Sequence, residues 1–197
     1  MQTEKKTAIR LSRQLVTCAI MCGLAVAVML LFHQKPFWSA LLSGMRLPQQ
    51  VAAGLAFGVL YWTFATLGHK FATGRKSANH VAESYRRLDL SGWNPLWIAL
   101  AAGVGEELLF RGALQPVLGI WAATVLFVLA HFRAYRFNTL NKRVLIQGLG
   151  LFAVGLTLGY IAKYVGLVAV MIIHTTMDIV GLYAIRRSAH APATAAT

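Results

Sequence analysis

The sequence predicts an all-α, polytopic integral membrane helical bundle of about six transmembrane helices, and three observations predict it. Of 197 residues, 57% are hydrophobic and only 13% are charged, and the mean hydropathy is +0.59, a balance outside that of ordinary water-soluble domains. The apolar residues fall into runs close to the roughly 20 residues needed to cross about 30 Å of hydrocarbon. The basic residues gather in alternate gaps between those runs.

Taken in order, the runs cover about 14–32, 49–68, 93–115, 117–132, 144–162 and 166–185. The first follows a basic stretch, Lys5 to Arg13, like the start of a signal peptide. Its apolar part exceeds the usual 7 to 15 residues and no A-x-A site follows in "HQKPFWSALL", so a retained helix is expected. Cys18 and Cys22 lie one turn apart within it and read as small packing residues, not as a disulfide framework. The second run holds Gly54 and Gly58 and the fifth holds Gly155 and Gly159, small-xxx-small pairs that let helices approach closely. The basic, polar segment 70–91 is expected to rest as an amphipathic stretch on the cytoplasmic membrane surface. The third run opens on Trp93 and Trp97, and Trp38 and Trp121 lie near other boundaries, as interfacial aromatics do. Charges interrupt the third run, and the fourth is short. After the sixth, "APATAAT" closes the chain. Residues 1–188 are therefore expected to form a single transmembrane domain and 189–197 a disordered tail. No internal repeat suggests an inverted-repeat transporter.

Lys and Arg accumulate on the cytoplasmic side of membrane proteins. With the N-terminus inside, that side holds Lys5, Lys6, Arg10, Arg13, Lys70, Arg75, Lys76, Arg86, Arg87, Arg133, Arg136, Lys142, Arg143, Arg186 and Arg187, and the opposite side only Lys35, Arg46 and Lys163. Both termini are thus expected in the cytoplasm. The same asymmetry accounts for the net charge of +13, which would otherwise suggest nucleic acid. The expected partner is the lipid bilayer, with no nucleic acid.

Acidic residues are few: Glu4, Glu83, Asp89, Glu106, Glu107 and Asp178. Three of them lie within apolar runs, where one unpaired charge costs about 2.5 to 3.5 kcal/mol on insertion scales, so they are candidate functional groups. Glu107 and Arg111 stand four apart on one helical face and can neutralise each other. Glu106 is turned about 100° from its neighbour and is left available. "FVLAH" places Phe127 and His131 one turn apart, and "HTTMD" does the same for His174 and Asp178. His33, His69, His80 and His190 fall in loops or at span ends and read as solvated or interfacial. A single buried histidine is more often a satisfied core residue than a ligand; two, with a glutamate and an aspartate in separate spans, shift the balance.

Two imidazoles and a carboxylate form the ligand set of hydrolytic zinc sites, whose fourth position holds a water of lowered pKa. On that reading His131 and His174 hold the metal with Glu106 or Asp178. The same set suits a metal-free arrangement in which Glu106 and a histidine activate water directly. It could equally conduct protons or ions.

The residues "EELLFR" (Glu106, Glu107, Arg111), "FVLAH" (Phe127, His131) and "HTTMD" (His174, Asp178) resemble the three ordered motifs of the CPBP family, which comprises type II CAAX prenyl endopeptidases and bacteriocin-processing and immunity proteins and is also called Abi. The resemblance covers about residues 93–185. It implies an intramembrane protease, a metalloprotease where a metal is used, in a bacterial inner or cell membrane with its polar site open to the cytoplasm. Glu106 would be the general base, His131 and His174 metal ligands or direct catalytic groups, and Glu107, Arg111 and Phe127 supporting residues. Many members carry Asn where this chain has Asp178. An Asn amide can donate to an oxyanion and an ionised Asp cannot, so Asp178 is expected to be a ligand or to orient His174. The expected activity is hydrolysis of a peptide bond near the cytoplasmic membrane face, in a membrane-associated protein or peptide. A non-catalytic scaffold and an ion-coupled carrier are the alternatives. In this topology His131 falls near the end of its span while Glu106 and His174 lie near the middle of theirs. A water-filled cavity open to the cytoplasm is expected to join them, in preference to a fourth helix that continues past "HFRAYRF".

Overall fold

The computed structural model describes residues 9–33, 36–71, 87–132 and 141–190. The amphipathic stretch expected at 70–91 and the tail expected at 189–197 lie mostly outside them. Helix α1 is Leu11–Phe32 and, after a short 3-10 turn at Phe37–Ala40, α2 is Leu47–Phe71. Helix α3, Asn94–Glu107, continues through a π-helical segment at Leu108–Leu114 into α4, Gln115–Ala130. Helix α5 is Lys142–Tyr164 and α6 is Leu167–His190, so residues 189 and 190 are helical and not part of a tail. Among the described residues the one extended pairing is an isolated bridge between Ile9 and Leu88.

Five helical stretches are long and apolar enough to cross a membrane: Leu11–Phe32, Leu47–Leu67, Asn94–Ala130, Val144–Tyr164 and Leu167–Arg187. The chain is an α-helical integral membrane protein. Its lipid-facing surface carries large exposed apolar side chains such as Leu30, Leu31, Phe32, Phe64 and Trp121, which hydrocarbon solvates as well as a protein interior would. The third stretch contains both the third and the fourth expected spans without a gap, so five stretches stand close to the expected count of about six.

That stretch is not one rod. Glu106 and His131 are 25 residues apart, which on a straight helix is about 37 Å, yet His131 Nε2 lies 3.6 Å from Glu106 Oε2. The chain folds back at Gly119, whose φ of 81° and ψ of 165° interrupt α4. Only glycine adopts that conformation without strain, so a single residue replaces a polar loop and leaves no dip in hydropathy to mark the turn. The return leg, residues 120–130, is about 16 Å long, half a bilayer. His131 therefore ends up beside Glu106 because its leg is short, the helix ending at Ala130; residues 133–137 of "HFRAYRF" lie outside the described residues. The preceding π segment also has a local cause: Pro116 cannot donate to the carbonyl four residues back and its ring crowds it, which widens the turn upstream. Replacing Gly119 by Ala, which meets no neighbouring atom, is expected to cost about 1–3 kcal/mol through conformation alone. Thermal unfolding in detergent would show the loss, and an unchanged midpoint would contradict a strained turn.

Helix α3 occupies the centre, packed against α1 and α6, and its π-helical continuation packs against α1 and α4. Gly103 sets its distance from α6: a Cβ there would collide with Thr175 Oγ1, so only glycine lets the two helices close. The glycine pairs picked out in the sequence serve the same end, Gly54 and Gly58 against α6 and Gly155 and Gly159 against α4. At one face of the bundle Ile9 pairs with Arg87 and Asp89, and Arg186 donates to Gly92 O at 2.8 Å. At the opposite face Met45 N donates to Val165 O at 2.8 Å. Outside the spans, the Asp89 carboxyl is held below the usual carboxylate range by hydrogen bonds from the Ser91 hydroxyl and amide.

Gln50 locks that second face. It is fully buried, its amide donates to Ser43 O and Met45 O at 2.9 Å each, and its oxygen accepts from Val168 N at 3.0 Å, one of the orphan amides that open α6. Gln50→Leu keeps the volume and strands those groups, at about 1–3 kcal/mol for each left unpaired. A clear fall in detergent unfolding temperature is expected; an unchanged one would show that water replaces the amide.

Candidate active site

The sequence-selected groups meet where α3, the end of α4 and α6 come together. Glu107 and Arg111 lie on α3 and its π-helical continuation, both buried, with Arg111 Nη1 donating to Glu107 Oε1 at 3.0 Å. The same Oε1 lies 2.6 Å from His174 Nδ1. Glu107 thus joins the central helix to α6 as well as neutralising Arg111. Arg111 Nη2 donates to Gly155 O on α5 at 3.2 Å, and its guanidinium rests 4.3 Å from the centre of the Phe127 ring. A buried guanidinium needs all of these partners.

Glu106 points away from that pair, towards His131, with Oε2 3.6 Å from Nε2. Oε2 of Glu106 and Oε2 of Glu107 are buried with no hydrogen-bond partner among the described residues. His131 caps α4, and its Nδ1 lies 2.8 Å from Phe127 O. A carbonyl only accepts, so the ring proton is on Nδ1, and in the neutral ring the Nε2 lone pair faces Glu106. Glu107 likewise takes the Nδ1 proton of His174, which turns His174 Nε2 towards Asp178 Oδ2 at 3.8 Å. That separation exceeds a hydrogen bond. Glu107, not Asp178, is therefore the carboxylate that holds the His174 ring.

Phe127 sits among all of these. Its ring lies 4.6 Å from His131, 6.5 Å from His174 and 5.3 Å edge-to-face from Phe110. It packs against both imidazoles and the guanidinium on the apolar side of the cluster. The side chains of Glu106, His131 and Asp178 retain exposures of 18%, 20% and 21%, against 0% for Glu107. The polar face is accessible and the supporting pair is not.

Sequence reading missed three features of this site. Phe110 lies within "EELLFR" itself and was passed over as apolar filling. The Gly155 carbonyl carries no sequence signature, since any residue supplies one. The Glu107 to His174 link crosses helices, where spacing along one helix says nothing. As for a metal, His131 and His174 come with one carboxylate each, but no three His, Cys, Asp or Glu among the described residues are arranged to hold an ion. The donor types suit zinc, and among the described residues they are not gathered around one point.

No match was found among curated proteins or among solved structures. Residues 89–180 match the family model described as type II CAAX prenyl endopeptidase Rce1-like. That segment contains Glu106, Glu107, Arg111, Phe127, His131, His174 and Asp178, and over it the chain is similar to the type II CAAX prenyl endopeptidase Rce1-like family, a family of peptidases.

Proposed function

We propose that the protein is an intramembrane endopeptidase that hydrolyses a peptide bond of a membrane-associated protein or peptide, with Glu106 as general base. The observation that carries this reading is the convergence of an unpartnered carboxylate oxygen, Glu106 Oε2, on His131 Nε2 beside a second imidazole already oriented by Glu107. Water held beside Glu106 and His131 donates its proton to Glu106 as its oxygen attacks the peptide carbonyl. The tetrahedral intermediate then collapses, the carbon–nitrogen bond breaks, and the departing amine takes a proton delivered through His174 Nε2. Glu106 later returns the proton it took, so the cycle closes. Asp178 faces the working nitrogen of His174 and steadies the ring when that nitrogen carries a proton. The termini, with the dense basic clusters, lie in the cytoplasm of a bacterial cell on this reading, and the site opens to that side.

Reconstituted protein offered lipid-anchored tail peptides in H2(18)O should release a product with one heavy oxygen in its new carboxylate. Release without label would refute hydrolysis, and no release from a broad peptide set would favour the scaffold alternative. Exhaustive chelation separates direct activation from a zinc mechanism. Turnover that persists with well under one bound metal per chain belongs to the first; turnover lost and restored by zinc places the ion on His131 and His174 with Glu106 or Asp178.

A further inference from the structure

On the side of α6 turned away from His174 and Asp178, α2 and α6 run side by side and then part. They touch at Gly58, where a Cβ would come within 2.9 Å of Thr176 Oγ1. Beyond that contact lies a cavity of about 810 Å³ whose walls include Val59, Trp62, Ile179, Tyr183, Ala184 and Arg187. From Thr176 at its floor to Arg187 at its mouth is eleven residues of helix, about 16 Å. One leaflet of hydrocarbon is about 15 Å deep, half of the 30 Å core, so the cavity is one leaflet long. Its lining is apolar apart from Thr66, Thr176 and Arg187, and it contains no carboxylate. Arg187 lies within the last turn of α6, which ends at His190, on the face of the bundle that carries Ile9 and Asp89. Neighbouring Arg186 is engaged with Gly92 O and the Tyr183 ring.

We infer that this cavity holds one acyl chain of an anionic phospholipid from the leaflet on the side of the chain termini, with its phosphate on Arg187. The length match selects a leaflet lipid, and the Arg187 guanidinium at the mouth, with no carboxylate among the described residues that line the cavity, selects an anionic headgroup. The bound chain packs against the back of the helix that carries His174, independently of the reaction assigned to that helix.

The full chain, delipidated in detergent, would be titrated with phosphatidylglycerol and with phosphatidylcholine of the same acyl chains, and adducts counted by native mass spectrometry. One phosphatidylglycerol should be retained about fivefold more tightly, the preference that one arginine confers at an anionic surface. Arg187→Gln should reduce that to parity, and Ala184→Phe, which fills the cavity, should weaken both adducts. Circular dichroism would confirm that each variant is folded. Equal retention of the two lipids by the native chain would overturn the inference, as would a preference unchanged by Arg187→Gln or adducts unweakened by Ala184→Phe. Displacement of the lipid by an uncharged isoprenyl thioether would overturn it too, by showing that the cavity selects hydrocarbon without regard to charge.

Discussion

Replacement of Glu106 by Gln is expected to lower peptide hydrolysis by at least about two to four orders of magnitude while leaving the protein folded. The amide has the volume of the carboxylate and can still donate to or accept from water, but it cannot take a proton from it. Among the described residues Glu106 Oε2 accepts no hydrogen bond and lies 3.6 Å from His131 Nε2, so the amide should be accommodated without loss of a bond at that oxygen. Glu106→Asp keeps the base and withdraws it by one methylene. Since a displacement of about 1 Å can cost about a hundredfold, this variant should fall between the native protein and Glu106→Gln. Single-turnover cleavage of an anchored peptide, with unfolding temperature measured in parallel, tests both. Native-like turnover by Glu106→Gln would leave the site without its base and end the protease reading.

Much of this was legible in the sequence, and the limits have physical causes. Hydropathy runs and the alternation of basic loops identify an α-helical membrane protein because backbone groups in hydrocarbon must pair within their own segment. A polytopic bundle of about six spans follows from that directly, close to the five long stretches observed. The turn at Gly119 does not, since a chain can reverse on one positive-φ glycine without a polar residue, and a helix count based on loops then divides the stretch in the wrong terms. In the site, spacing four apart on one helix reveals Glu107 with Arg111, and intramembrane scarcity singles out Glu106, His131, His174 and Asp178. The structure gathers all of them. What spacing cannot reveal is which carboxylate faces which imidazole across helices. Asp178 stands one turn from His174 and reads as its partner, yet Gly103 brings α3 so close to α6 that Glu107 reaches His174 Nδ1 first, at 2.6 Å.

That three-way arrangement sets up the second large effect. Arg111→Met should destabilise the protein by about 3–5 kcal/mol, because it leaves Glu107 charged in a fully buried position without its counter-ion. Adding Glu107→Gln removes the stranded charge. Since replacing a whole buried pair is often close to neutral, the double variant should recover most of the loss. Activity should not recover with it. The amide oxygen introduced by Glu107→Gln could still accept the His174 Nδ1 proton, but it carries no charge to stabilise the ring when Nε2 is protonated, so proton delivery to the leaving amine would remain slow. Stability and turnover therefore part company: the single variant loses both, and the double regains only the first. Unfolding midpoints and single-turnover rates for native, single and double variants separate these contributions. If the double variant recovers turnover together with its stability, Glu107 serves only to neutralise Arg111, and the link to His174 has no part in the chemistry.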